Sequence, residues 1–298
     1  MLPDGATGLV TNRLAIIGLG LIGGSLARAL RAAHAVDSIS GFDIHPKQRT
    51  LALELGVVDR APGSAAEAVR DADLVLISVP VLHTAEALRA CLPGLKENVV
   101  VTDAGSTKQS VLRDVAAVCS GVVPPWFVAA HPIAGTEKSG VQNAQPDLFQ
   151  GHRVILTPHA TQSEAAKQTV TQMWQAAGAR VVEMQPDRHD AIFAATSHLP
   201  HLLAYGFVDL LARLDTRGEI FPNAGGGFRD FTRIASSSPE MWHDVVRANS
   251  APVMQLLEQQ IGQLNSILYQ MKHGQWDELK QLFERARAAR ERYLEQIE

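Results

Sequence analysis

A histidine that could act as a general acid or base lies at the end of a predicted strand. His131 follows the apolar segment 126–130, precedes Pro132, and Gly135 opens the loop beyond it. An imidazole, with an ordinary pKa of about 6.5, exchanges protons readily near neutral pH. Oxidation of an alcohol needs a base for the hydroxyl proton while hydride leaves the carbon. His131 is therefore a candidate base, and the alternative is a histidine that only hydrogen-bonds loop backbone.

Two arginines follow a run of three glycines and are flanked by phenylalanines. Arg229 and Arg233 belong to the segment GGGFRDFTR, residues 225–233. A guanidinium binds a carboxylate through two parallel hydrogen bonds, and desolvation by neighbouring rings strengthens that contact. One arginine is therefore a candidate for binding an acidic substrate. The spacing does not decide which one, and a surface salt bridge is the alternative for either.

Further polar side chains are predicted to line the same pocket. His198 and His201 are three residues apart, so a helix would place both rings on one face, and His189 precedes them. No cluster of cysteines or carboxylates completes a zinc set, so we expect pocket lining rather than a metal site. Ser106, after another strand, would project toward a nicotinamide or a substrate hydroxyl. Capping of the next helix is an equal alternative for Ser106.

The element that must position these groups is a glycine turn near the start of the chain. The apolar run 14–17 is typical of a buried strand, and the glycines that follow match G-x-G-x-x-G at Gly18, Gly20 and Gly23. Such a turn directs backbone N–H groups at a pyrophosphate from the start of a helix. Asp43 ends the next strand, about twenty residues on, where a carboxylate binds the ribose 2′-OH. The pattern predicts dinucleotide binding.

Strands and helices alternate as far as residue 184, which predicts one parallel sheet with right-handed crossovers. Ligands bind at the carboxyl ends of such strands. The sequence predicts strands at 14–17, 38–42, 74–80, 98–103, 126–130, 153–157 and 180–184. The polar residues expected at their carboxyl ends are Asp43, Ser78, Ser106 and His131.

From Arg188 onward the pattern is helical. We predict a long helix over 190–214 interrupted only by Pro200, a glycine-rich loop at 223–228, and helices that begin at Ser238 and Ser250. The fold class is therefore α/β, with a Rossmann NAD-binding domain at 1–187 and an all-α domain at 188–298 for dimerisation and substrate binding. An apolar stripe from 253 to 271 predicts a homodimer. Packing of this stripe within its own subunit is the alternative.

Composition narrows the class of protein. The 298 residues carry a formal net charge of −4, which gives no reason to expect nucleic acid or an anionic membrane as partner. The two cysteines, Cys91 and Cys119, have no metal-ligand spacing. The sequence shows no secretory signal and no uninterrupted apolar stretch that would span a bilayer. We therefore expect a cytoplasmic protein.

The motifs, taken in order, resemble those of the TyrA family, the prephenate and arogenate dehydrogenases of tyrosine biosynthesis. The resemblance covers nearly the whole chain and rests on GLGLIGGSLA, SVP, TDAGSTK, HPIAGTEKSG, SHLPH and GGGFRDFTRIASSSPEMW. It implies oxidative decarboxylation of prephenate to 4-hydroxyphenylpyruvate, CO2 and NADH. No chorismate mutase segment precedes the glycine turn and no separate ligand-sensing domain follows the last helix, so we expect the monofunctional form.

The resemblance also implies roles for individual residues. His131 would polarise the ring hydroxyl, Ser106 would share that hydroxyl, and Arg233 would bind the side-chain carboxylate. The other substrate-binding residues would be His189, His198, His201, Thr136 and Trp242, and an ionic gate would be formed by Glu137 and Asp230. The residues expected to bind the cofactor are Gly18, Gly20, Leu21, Ile22, Gly23, Asp43, Ser78, Val79, Pro80 and Ser106.

Asp43 predicts NAD rather than NADP, because a carboxylate accepts from a 2′-OH and repels a 2′-phosphate; Lys47 and Arg49 nearby work against this preference. Prephenate is favoured over arogenate because neither SHLPH nor GGGFRDF offers an obvious acidic partner for an amine except Asp230. An arogenate or dual-specificity cyclohexadienyl dehydrogenase is the alternative. More distant alternatives are a β-hydroxyacid or imine reductase and a dinucleotide-sensing module without turnover.

Overall fold

The computed structural model describes residues 9–136 and 138–297. Within it the chain forms two compact units, Met1–Ser250 and Ala251–Glu298. The first unit holds both sheets and every residue of the candidate site, and the second holds two long helices.

A five-stranded parallel sheet forms the centre of the first unit, in the strand order β2-β1-β3-β4-β5. Its apolar strands are buried on both faces, as the uninterrupted hydrophobic runs predict. Leu14 and Ile16 of β1 pack into one hydrophobic cluster, and Ala15 and Ile17 pack into the other. The strands are β1 Thr11–Ile17, β2 Val36–Phe42, β3 Leu74–Ile77, β4 Val100–Asp103 and β5 Phe127–Val128.

Helices connect these strands and cover the sheet. The first helix begins directly after the glycine turn, and its Gly23 and Gly24 are buried. Small residues at these positions let the helix backbone approach the sheet closely. The helices of this part are α1 Leu21–Ala32, α2 Pro46–Glu54, α3 Ala65–Val69, α4 Thr84–Cys91, α5 Gln109–Val118 and α6 Glu164–Ala176.

The prediction of a single parallel sheet is wrong in one respect that concerns His131. A second sheet contains β6 Ala130–Pro132, β7 Arg153–Leu156 and β8 Arg180–Glu183, and β6 runs antiparallel to β7. His131 is the middle residue of β6 rather than the end of a parallel strand. The predicted strand 126–130 divides because β4 ends at Asp103, whose carboxylate accepts the N–H of Ala130 and directs the chain away.

The helix that follows β8 is continuous from Pro186 to Leu214, and it changes its winding rather than stopping at Pro200. It consists of α7 Pro186–Phe193, a π-helical turn Ala194–His198 and α8 Leu199–Leu214. Pro200 lies in the first turn of α8, and the wider π turn accommodates a residue that has no N–H. Phe193 and His198 are five positions apart, a spacing that the π turn brings back to one face.

The helix Pro186–Leu214 also corrects the expectation about apolar stretches. By length and composition alone it could cross a membrane, with a mean hydropathy of 1.2 over its most apolar window. Its first half carries His189, Asp190 and His198, which are buried and hydrogen-bonded inside the first unit. About 28% of that window is buried inside the structure.

The glycine-rich segment forms the start of a helix rather than a loop. The helix α9, Gly226–Thr232, begins at the second of the three glycines, and α10, Pro239–Ala248, follows with the Ser238 hydroxyl as its N-cap. Serine before proline is a strong start signal, and this prediction is confirmed. Beyond residue 188, as far as Ile297, the described chain contains no strand, as the sequence predicts.

The second unit contains most of α11, Ser250–Lys272, and all of α12, Trp276–Ile297. Gly274, with φ of 68°, provides the left-handed residue after α11. Three apolar residues of the stripe, Ile261, Leu264 and Leu268, are about half exposed. These three residues are therefore not covered within their own chain, whereas Val253 at the start of the stripe is buried.

Candidate active site

The glycine turn provides a place for a pyrophosphate because one of its glycines faces open space. Gly18 has φ of 98°, and a Cβ there or at Gly23 would collide with neighbouring backbone or with Ser78. A Cβ on Gly20 would meet nothing within 4 Å. Gly18 and Gly23 thus hold the turn tightly, whereas Gly20 leaves a cradle before the first turn of α1. The N–H groups of Leu21, Ile22 and Gly23 have no acceptor within that helix.

Asp43 lies beside this turn as predicted, and its carboxylate also supports it. One oxygen accepts from the Leu19 N–H at 2.9 Å and the other from the His45 N–H at 2.8 Å. Each carboxylate oxygen keeps a lone pair for a further donor. The Arg49 guanidinium donates to the Asp43 backbone carbonyl and lies over the Phe42 ring. These two contacts hold the guanidinium beside Asp43.

Ser78 contributes to the same edge by supporting the turn. Its hydroxyl donates to the Gly18 carbonyl at 2.8 Å, which ties the end of β3 to the turn. Val79 and Pro80 follow on the half-exposed and exposed surface at the carboxyl end of the sheet. These positions fit residues that pack along a bound dinucleotide.

His131, the candidate base, is 9% exposed and hydrogen-bonded to a second histidine. Its Nδ1 lies 2.8 Å from Nε2 of His189, and Nδ1 of His189 lies 2.8 Å from the carboxylate of Asp190. Phe193 packs against both imidazoles, with ring centroids 4.8 and 4.5 Å away. We call the series His131, His189 and Asp190 the imidazole relay.

Asp190 also caps the helix that follows Ser106. Its carboxylate accepts the backbone N–H groups of Lys108 and Gln109, at 2.8 and 2.9 Å. The cap of α5 therefore comes from α7, and the capping alternative for Ser106 is wrong. Ser106 itself is half-buried at the carboxyl end of β4, where the sequence places it.

A buried ion pair fixes the backbone of β6. Lys108 is fully buried, and its ammonium donates to the Asp103 carboxylate at 2.5 Å and to the Ala130 carbonyl at 2.6 Å. Burial lowers the pKa of Lys108, and the Asp103 carboxylate opposes that shift. Because Asp103 also accepts the Ala130 N–H, the residue before His131 is held on both sides. Nothing in the sequence around Asp103 and Lys108 distinguishes this pair from two surface charges.

The relay histidines are neutral at pH 7 because burial disfavours their charged forms. Burial is the main cause that holds the pKa of His131 well below 6.5, and the proximity of His189, Lys108 and His198, which become positively charged when protonated, adds to this shift. Burial also lowers the pKa of His189, although its hydrogen bond to Asp190 opposes the shift. A neutral imidazole is the form that accepts a proton.

His198 belongs to the same cluster through Asn249. The Asn249 amide nitrogen donates to the backbone carbonyl of Asp190 at 2.8 Å and contacts Nδ1 of His198 at 3.0 Å. Because an amide nitrogen only donates, Nδ1 accepts and the proton lies on Nε2. Within the described chain this buried Nε2 has no partner. Burial lowers the pKa of His198 to about 4, so it is neutral at pH 7.

Next to His198, Trp242 stacks on His201, with ring centroids 3.5 Å apart. His201 donates from Nδ1 to the Ser197 carbonyl at 2.8 Å. The indole Nε1 of Trp242 is buried and has no acceptor among the residues described. These contacts place His198, His201 and Trp242 together, and the unpaired N–H groups of His198 and Trp242 suit a ligand with oxygen acceptors.

Arg233 lies close enough to His201 that its charge contributes to lowering the pKa of that imidazole, although burial is the main cause. Both Arg233 and Arg229 are exposed in the single chain, so the desolvation expected from the flanking phenylalanines is not observed there. Neither forms an ion pair with any described residue. This influence of Arg233 on the pKa of His201 favours Arg233 as the arginine near the cluster.

The predicted gate and one further contact remain predictions. Thr136 and Asp230 are exposed, and Thr136 accepts the Lys138 N–H through its hydroxyl. Glu137 lies outside the described residues. The described ranges contain no group of three or more histidine, cysteine, aspartate or glutamate side chains that could hold a metal ion.

The chain matches two family models that divide it between them. Residues 26–183 match the nucleotide-binding domain of prephenate dehydrogenase, and residues 185–285 match its dimerization domain. The first match begins just after the glycine turn. The change from one model to the other falls near the predicted boundary at 187 and 188, which stays a prediction.

Similar proteins cover nearly the whole chain. The cyclohexadienyl dehydrogenase of Zymomonas mobilis is 35% identical over 94% of this chain and 96% of its own length. The prephenate dehydrogenase of Bacillus subtilis is 35% identical over 94% of this chain and 76% of its own. A structure of prephenate dehydrogenase from A. aeolicus, in complex with hydroxyphenyl propionate and NAD+, superposes with a TM-score of 0.86 at 35% identity. The superposed region covers 94% of this chain and 97% of the A. aeolicus chain.

Proposed function

The chain belongs to the prephenate dehydrogenase family, and from this premise we propose that it oxidises and decarboxylates prephenate with NAD. The products are 4-hydroxyphenylpyruvate, CO2 and NADH, in the pathway to tyrosine. The observation that carries the proposal is the neutral imidazole of His131. His189 occupies its Nδ1, and its Nε2 forms no hydrogen bond with the described residues, so Nε2 is free for a substrate hydroxyl.

NAD fits the residues of the glycine turn. The pyrophosphate would occupy the cradle at Gly20, opposite the N–H groups of Leu21, Ile22 and Gly23, and Asp43 would accept from the ribose. When bound there, the nicotinamide supplies a hydride acceptor. The glycine turn of the five-stranded parallel sheet would thus hold NAD, the oxidant, and His131 of the imidazole relay would act as the base.

The residues of the chain divide the work on the substrate. His131 Nε2 accepts the ring hydroxyl proton, while Ser106 orients that hydroxyl. Arg233 binds the side-chain carboxylate, and the N–H groups of His198 and Trp242 are further donors for an anionic substrate. Loss of the ring carboxylate as CO2 leaves its electron pair in the ring, which becomes aromatic, and the proton held by His131 returns to the ring oxygen to give the phenol.

For the remaining predicted site residues, we infer roles from where they lie along the chain. His189 and His201 would line the pocket from α7 and α8, and Thr136, Glu137 and Asp230 would lie at its entrance. We infer a homodimer because the second family model is a dimerization domain and because Ile261, Leu264 and Leu268 are exposed in the single chain. A cytoplasmic location remains an expectation.

Arogenate is the second candidate substrate, because one relative with nearly equal length is a cyclohexadienyl dehydrogenase. The test is an assay of NADH absorbance with purified protein and NAD, with prephenate and arogenate in parallel. The proposal expects NADH and 4-hydroxyphenylpyruvate from prephenate, and a reaction only with arogenate would reassign the substrate. Binding of NAD without NADH from either substrate would indicate a sensing module.

A further inference from the structure

The imidazole relay contains more than the base. It ends at Asp190, a fully buried carboxylate on α7 that accepts two backbone N–H groups of α5 as well as the His189 ring. We propose that Asp190 and His189 are positioning residues that determine which ring nitrogen of His131 carries the proton. This inference rests on the proposed function, since it assigns the acceptor atom of the same site.

The direction of each hydrogen bond follows from the chemistry of the groups. An ionised carboxylate only accepts, so Nδ1 of His189, at 2.8 Å from Asp190, carries a proton. Neutral His189 then has no proton on Nε2, and that atom must accept. Nδ1 of His131, at 2.8 Å, is therefore the donor, and Nε2 of neutral His131 carries the free lone pair.

The groups around Asp190 fix both its ionisation state and its orientation. The N–H groups of Lys108 and Gln109 require an acceptor, and they hold the pKa of Asp190 below its ordinary value together with His189, against the effect of burial. Asp190 thus stays ionised, and its orientation is fixed by the helix terminus. The tautomers of both histidines are consequently determined before a ligand binds.

The same geometry gives the proton somewhere to go. When His131 Nε2 forms a bond to the hydroxyl proton, the hydroxyl O–H bond breaks and an imidazolium forms. Transfer of the His131 Nδ1 proton to His189 Nε2 would move the positive charge next to the Asp190 carboxylate. Asp190 remains ionised throughout, and no electrons are exchanged in this step.

A pair of variants at His189 tests the relay while leaving Asp190 and its cap in place. In His189→Gln the amide can still donate to Asp190 and accept from His131 Nδ1, whereas in His189→Leu it can do neither. Loss of a correctly oriented base lowers rates by about 10²–10⁴-fold. We expect His189→Leu to lower kcat by about 100-fold with little change in KM, and His189→Gln to restore kcat to within about tenfold of the wild type.

The proton positions can be read directly without turnover. Nitrogen NMR of ring-labelled histidines should show His131 protonated at Nδ1 in the wild type and in His189→Gln, but partly at Nε2 in His189→Leu. Asp190→Asn, which removes the charge, should lower kcat at nearly constant KM. Asp187→Asn, on the exposed side of the same helix, should leave kcat unchanged.

Two results would overturn the inference: a wild-type His131 protonated at Nε2, or a His189→Leu variant with the kcat of the wild type. A changed KM alone would show that His189 only binds substrate, which also contradicts it. Failure of the proposed function is distinguishable, because it would appear as a wild-type protein that makes no NADH while the NMR tautomer assignment still holds.

Discussion

The glycine turn and the imidazole relay are built in opposite ways. At the turn, the atoms that face a ligand are backbone N–H groups, and the essential property of Gly20 is that it has no side chain. In the relay, the chemistry is carried by side chains from different elements, and the side chains of Asp103 and Lys108 hold the Ala130 backbone next to His131. We therefore expect the glycine turn to lose NAD binding when atoms are added to it. We expect the imidazole relay to lose catalytic activity when its functional groups are removed.

The sharpest separation of the two regions is expected from His131→Asn. Asparagine keeps a polar group but cannot take up the hydroxyl proton, so kcat should fall by about 10²–10⁴-fold. NAD affinity, measured by fluorescence titration, should stay as in the wild type because the turn is untouched. His152→Asn, at an exposed position, is the control. An unchanged kcat would remove His131 from the chemistry.

The second largest effect is expected from Arg233→Gln. Loss of a hydrogen-bonded charge costs about 1.5–3 kcal/mol, which raises KM by about 10–100-fold. Because the carboxylate is bound before and during the reaction, kcat should change little. Arg229→Gln is the matched comparison on the same segment. A larger rise in KM from Arg229→Gln would assign the carboxylate to that arginine instead.

Adding a methyl group at the turn distinguishes its two kinds of glycine. Gly23→Ala would force a Cβ against the Gly18 carbonyl and Ser78, and should lower the free energy of unfolding by about 1–3 kcal/mol. Gly20→Ala meets no neighbour, so stability should be unchanged while the Kd for NAD rises about tenfold or more. Urea unfolding and NAD titration measure these changes. Equal stability loss in both variants would contradict the assignment of the Gly20 cradle.

The smallest expected effect concerns Asp43, a side chain beside the turn that we expect to bind the cofactor. Asp43→Ser removes the carboxylate that favours a 2′-OH, and the ratio of kcat/KM for NAD over NADP should fall about tenfold. Some stability should be lost as well, because Asp43 accepts from Leu19 and His45. Asp37→Ser, at the other end of β2, is the control. A wild type that prefers NADP would refute the role of Asp43.

This contrast also explains how much could be predicted from the sequence. The turn could be predicted because its residues are local: glycine spacing fixes a backbone shape, and the strand Leu74–Ile77 that supports it is apolar throughout. The family resemblance and the candidate role of His131 could likewise be predicted from local sequence motifs. The sequence could not show that Trp126–Ala130 would be divided between two sheets, since the cause is a contact from Asp103.

The partners of His131 were missed because they are distant in sequence and ordinary in type. Asp190 meets Lys108 across 82 residues, and Asn249 meets Asp190 across 59. Asp190 is the fifth residue of α7, and a single acid within a helix gives no unusual signal in the sequence. The adjacent pair His189 and Asp190 was the one local indication that an imidazole had a carboxylate partner.

The most direct test of the central claim is a crystal structure of the protein with NAD and a phenolic product analogue. The account predicts the ring hydroxyl within about 3 Å of His131 Nε2, with the Nδ1 of that ring still on His189. The analogue's carboxylate should lie at Arg233. A hydroxyl bound elsewhere, with the His131 ring turned away from the nicotinamide, would contradict the account.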